Sequence, residues 1–192
     1  MEAPVPPRVR EYADQAVAYV RAALGIRLEY DSDTLPVLDH YLRNVPSEQP
    51  ATLKLVIATS GAYFGEVVRR RLGGRWEATG DDTDWRMVLP TGLSFSPPGF
   101  VAAAIAQADL DDLDSEIDAP PRMRPYVQKA LARMGEVPIT EYYSLCNRLD
   151  TVEHVHEVLV AVAAQMMGNA ADVDDEEPPP EPVADEPSGP VN

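Results

Sequence analysis

The chain has 192 residues, 45% of them hydrophobic, and a net charge of −16 from 32 acidic and 16 basic side chains. A chain this acidic is not expected to bind a nucleic-acid backbone, which is recognised by a predominantly basic surface, and anionic membrane surfaces should repel it. No stretch reaches the roughly 18 apolar residues of a membrane-spanning helix, and the single cysteine, Cys146, excludes an intrachain disulfide and an all-cysteine metal site.

The first residues, MEAPVPPRVREYADQ, carry no apolar run behind positive charge, so no secretory signal is read and a cytoplasmic location is expected. Residues 1–7 are proline-rich and are expected to be disordered. A first helix is predicted from about Arg8 to Leu24, with Val9, Tyr12, Ala13, Ala16, Val17, Val20 and Leu24 on its apolar stripe and Gly25 as its stop. Ile26 to Tyr30 alternates, which suits a short strand or an extended linker. A second helix should start near Ser32 or Asp33, both good caps, with Leu35, Leu38, Leu42 and Val45 inward and Pro36 in the first turn.

The stretch from Leu53 to Leu89 changes its hydrophobic period once. Leu53, Val56, Ile57, Ser60, Gly61, Phe64, Val67, Val68 and Leu72 follow helical spacing and trace one face. Small residues beside that face (Ala58, Ala62, Gly65) would let a neighbour approach closely. Arg69, Arg70 and Arg71 offset the helix dipole near its carboxyl end, and Gly73-Gly74 ends the helix. Arg75 to Thr79 and Trp85 to Leu89 then read as two strands around a polar turn, and Leu93 to Ser96 could add a third.

Gly61-Ala62-Tyr63-Phe64-Gly65-Glu66, followed by the basic run and Gly73-Gly74-Arg75-Trp76, is similar to a motif in several uncharacterised bacterial domains. The resemblance covers Gly61 to Trp76. It implies a shared helix–hairpin core and no activity.

Pro97-Pro98 opens a short helix with Phe100, Val101, Ala104, Ile105 and Ala108 inward. The acidic run Asp109 to Asp118 lacks the glycine and glutamate of a calcium-binding EF-hand loop. Leu110, Leu113 and Ile117 fall at helical spacing, so an amphipathic turn of helix is expected there. A helix from Arg122 to Met134 ends at Gly135. A segment from Glu141 to Leu149 comes next, and Thr151 is expected to cap the last helix, which ends at Gly168. Residues 169–192 contain eight acids and no Lys or Arg, half the net charge, and read as a disordered acidic, proline-rich tail. The sequence thus predicts one α+β domain over 8–168, mostly helical, with a small antiparallel two- or three-stranded meander.

Few residues invite chemistry. Glu153-His154-Val155-His156-Glu157 holds one E-x-x-H pair. Di-iron bundle proteins need two copies and further glutamates, so Glu153, His154, His156 and Glu157 remain metal-ligand candidates only, with His40 as the third histidine. Cys146 could act as a nucleophile with one of the histidines, or sit as a small core residue. Glu66 is read as the ion-pair partner of Arg69 or Arg70 rather than as a carboxylate with a raised pKa. No catalytic or cofactor-binding residue is assigned and no cofactor is expected. The basic cluster Arg69, Arg70, Arg71 and Arg75 is the candidate partner-binding patch, for an acidic segment of a partner or of the tail. The function expected is that of a non-enzymatic bacterial binding or adaptor protein acting through a protein partner, in a narrower form an immunity-type protein against a basic toxin. The alternative is a small metal-dependent enzyme using the last helix.

Overall fold

The computed structural model describes the backbone of residues 4–46 and 49–174 and the side chains through 167. The expectations for the first three residues and for the tail from 175 onward lie outside the described residues. The fold is α+β and mostly helical. Helix α1 is Pro7–Leu24. A 3-10 turn, Ser32–Thr34, leads into α2, Leu35–Arg43, and α3 is Pro50–Leu72. Strands β1 (Arg75–Glu77), β2 (Arg86–Val88) and β3 (Ser94–Phe95) follow, then α4 (Pro97–Ala106) and β4 (Ile117–Asp118). Helices α5 (Arg124–Leu131), α6 (Ile139–Tyr142) and α7 (Leu145–Asp174) complete it. Val5 already packs against the core, so order begins before the expected Arg8.

Helix α3 is the centre. The sequence pattern suggested one buried face, yet every residue from Val56 to Arg69 is buried. Helices α1 and α4 both pack on α3, and the sheet closes over it through Trp76. A helix apolar or small on all sides is one that is enclosed. Gly65 shows the constraint most directly: a Cβ there would sit inside van der Waals contact with the Trp76 ring. Glu66, one residue on, accepts from Trp76 Nε1 at 2.7 Å.

The sheet is an antiparallel meander in the order β1-β2-β3-β4. Trp76 pairs with Met87, Met87 with Phe95, and Phe95 with Ile117, so one row of apolar side chains crosses all four strands. Behind it Phe95 stacks on Phe100 with ring centroids 5.0 Å apart. The β1–β2 turn is tied down by charge. Asp82 accepts from Arg8 at 2.7 Å and from the Tyr12 hydroxyl at 2.8 Å, while Lys54 donates to Asp81 at 2.7 Å. The Lys54 ammonium and the Thr83 donors hold the Asp81 carboxyl down at about 2.

Three expectations are corrected. The acidic run is not helical: Leu110 and Leu113 form an isolated bridge and Ile117–Asp118 is the fourth strand. Its aspartates hydrogen-bond locally instead, Asp114 accepting from the Glu116 amide at 2.9 Å and Asp109 from the Ser115 hydroxyl at 2.9 Å. Such bonds compete with helix formation. Thr151 does not cap the last helix. The two segments expected near 141–168 join into one helix from Leu145, and the Thr151 hydroxyl bonds back to the Asn147 carbonyl at 2.8 Å. Gly168 does not end that helix, which runs on to Asp174. A glycine inside a helix costs about 1 kcal/mol, which neighbouring turns can offset.

Gly65→Ala should destabilise the fold by about 1–3 kcal/mol, the range for overpacking, although alanine is the better helix former. Trp76→Phe removes the ring atoms that the new methyl would meet. The double variant should therefore lose less than the sum of the singles in denaturant melts. Strict additivity would show that Gly65 and Trp76 do not share this contact.

Candidate partner-binding groove

The acidic run and the α5–α6–α7 corner face each other across a groove of about 1030 Å³. Gly99, in the first turn of α4, admits one wall: a Cβ there would collide with the Asp114 carbonyl. The Arg86–Asp114 ion pair ties the same wall to β2. Asp111, Asp112, Glu116 and Glu136 make the lining strongly acidic. Leu110, Leu131 and Tyr142 leave apolar surface exposed on it.

The opposite wall is the start of α7. Its first amides are capped from a distance. Asp39 on α2 is buried and accepts from the Leu145 amide at 2.7 Å and the Cys146 amide at 3.2 Å. Ser144 adds a local cap, accepting from the Asn147 amide at 3.2 Å. A carboxylate on the first amides of a helix both satisfies donors and meets the positive end of the dipole. One turn further, Arg148 enters the groove wall with its guanidinium carbon 5.0 Å from the Phe100 ring centroid, 4.9 Å from Tyr142 and 5.5 Å from Tyr143.

The sequence candidates lie elsewhere and apart. Arg69 is buried, donating to Glu66 through Nε at 2.9 Å and Nη2 at 3.1 Å, the ion pair expected for Glu66. Arg70 is exposed and covers the Tyr30 ring at 4.2 Å. Arg71 is exposed and pairs with Glu153, and Arg75 pairs with Glu77 at 2.8 Å. Each arginine thus already has an intrachain contact, and Arg69 does not face solvent.

Glu153 and His156 do not converge on one site. Glu153 goes to Arg71, while His156 shares a hydrogen bond of 3.0 Å with Thr91. His154 buries an Nε2 that bonds to nothing described, Glu157 is exposed, and His40 is exposed on α2. Among the described residues no group of three or more His, Cys, Asp or Glu gathers to hold a metal ion. Burial, with help from Asp39, pushes the Cys146 thiol up to about 12, so it stays protonated at neutral pH and does not supply a thiolate.

Arg148, which lines the groove, and Asp39, which caps the helix that carries it, are the residues that sequence reasoning missed. Both carried a signal: Asp39 falls beside Leu35, Leu38 and Leu42, and Arg148 falls among Leu145, Leu149 and Val152, each a charge on an apolar stripe. Compared with known proteins, the chain matches no family model, no curated protein and no solved structure.

Asp39→Ala should cost about 2 kcal/mol in denaturant melts, since two amides lose a charged acceptor. A variant as stable as the wild type would mean the amides find other partners. Burial also depresses the His156 pKa below its ordinary value of about 6.5. The unfolded chain therefore takes up a proton that the fold refuses, and stability should fall as pH drops from 7 toward 5. His156→Gln should flatten that slope, and an unchanged slope would place the titration on other groups.

Proposed function

We propose that this chain is a non-enzymatic binding protein of the bacterial cytoplasm that acts through a protein partner, as an immunity-type protein taking a basic partner segment. The observation that carries the reading is the groove. Its acidic lining attracts cations, and Leu110, Leu131 and Tyr142 supply the apolar contact that a docked segment needs. A binding surface combines an apolar centre with a charged rim that steers encounter. No helix of the described residues is long and apolar enough to cross a membrane, which accords with a cytoplasmic setting. The binding reading takes precedence over a metal-dependent enzyme on α7 because Glu153 and His156 are engaged by Arg71 and Thr91. Exposed Arg70, Arg71 and Arg75 would form a secondary contact, for an acidic part of the same partner.

The test is an NMR titration with the peptide Ac-Lys-Leu-Lys-Lys-Leu-Lys-NH2. Backbone shifts should concentrate at 109–118 and along α5, and weaken with added salt. The triple variant Asp111→Asn, Asp112→Asn, Glu116→Gln should lower the affinity about tenfold or more, as lost charge pairs at an interface do. Shifts scattered over the whole acidic surface, and unchanged in the triple variant, would remove the groove as the docking site.

A further inference from the structure

Arg148 is the only basic side chain lining the groove among the described residues, and it is 93% buried. Its charge is permanent. Neither Nε nor Nη2 donates to any group of the described chain. A buried charge with ring contacts but no anionic partner remains costly, more so than the ion pair it would make if one were supplied. The groove is rich in carboxylates, yet none of them closes on this guanidinium; Asp109 instead takes the Ser115 hydroxyl, and the Tyr143 hydroxyl at 3.3 Å.

The chain itself shows what the unused edge is suited to. Nε and Nη2 form the side-on fork of an arginine. At Arg69 that same pair of atoms holds the two oxygens of Glu66 at 2.9 and 3.1 Å. Two parallel donors match the two oxygens of a carboxylate. At Arg148 three rings hold the guanidinium in place. Phe100 and Tyr143 are buried; Tyr142, 44% exposed and on the one-turn helix α6, is the ring that lies at the groove surface. Tyr142 is thus the ring that a ligand would have to displace to reach the fork.

The rim limits what can arrive. Asp111, Asp112, Glu116 and Glu136 repel a bare anion. A carboxylate flanked by cations meets attraction at both levels. We propose that the groove reads a carboxylate set among basic residues of a peptide segment, with Arg148 taking the carboxylate side-on and the acidic rim taking the flanking Lys or Arg. The inference rests on the groove being the partner-binding site. About 1030 Å³ accommodates a few residues of such a segment.

The experiment uses Lys-Lys-Gly-Gly with a free carboxyl terminus, the same peptide as its carboxyl-terminal amide, and Ac-Lys-Glu-Lys-NH2. The full chain is titrated and followed by the Arg148 Nε–Hε resonance and the backbone shifts of 109–118. The free acid should bind about tenfold tighter than the amide and move the Nε–Hε resonance, the size of effect of a charge-assisted pair. Arg148→Met should abolish the acid-over-amide preference while leaving the amide's rim shifts. Should that variant fail to fold, Arg148→Lys keeps the charge without the fork and should lose most of the preference. Binding of Ac-Lys-Glu-Lys-NH2 with the same Nε–Hε shift would assign the carboxylate to a side chain, and binding of the free acid alone to a chain terminus. Acid and amide binding alike at the rim with Nε–Hε unmoved would overturn the carboxylate inference and leave the groove standing. Failure of all three peptides to shift the groove would overturn both.

Discussion

The Glu66 carboxylate is the point on which the rest of the fold hangs. It is buried in the middle of α3, where an unpaired charge would be prohibitive, and it is met by Arg69 Nε, Arg69 Nη2 and Trp76 Nε1 at 2.7–3.1 Å. Those donors fix the Trp76 ring against Gly65. The ring in turn sets β1, because Trp76 is in register with Met87. From Met87 the register passes to Phe95 and then to Ile117, so β4 and the acidic run before it are positioned by a contact made in the central helix. The groove wall is therefore the far end of a chain of pairings that starts at one buried carboxylate.

This dependence explains which parts of the fold the sequence displayed. The helix–hairpin core was legible because its period switches from 3.6 to 2 at a pair of glycines, and both sides of the switch are local signals. The acidic run was not. Leu110, Leu113 and Ile117 fall at helical spacing, but what decides their conformation is non-local: the free edge of β3, and a glycine on α4 that admits the Asp114 carbonyl. The length of α7 was hidden for a similar reason. Its true N-cap includes Asp39, more than a hundred positions away, so Thr151 looked like the better local start.

The site was less legible than the fold. The acidic run from Asp109 to Asp118 was plain in the sequence, but only folding brings Glu136 and Arg148 to the same concavity. The basic run stood out, but adjacency in sequence fans arginines around a helix. Arg69 is consumed inside the core, Arg70 lies on Tyr30 and Arg71 goes to α7. Arg148 drew no notice as a lone charge, although a charge on an apolar stripe is the informative kind.

The remote cap on α7 has a kinetic side. The Leu145 and Cys146 amides depend on a carboxylate delivered by α2, so the first turn of α7 gains its full protection only once residues near 39 and 145 have met. That closure spans most of the domain and carries the loop entropy of a long-range contact. Ordinary helix ends fray independently of the body they belong to. This one cannot open without disturbing α2, so exchange of those two amides with solvent should track the cooperative unfolding of the α2–α7 unit rather than local fraying.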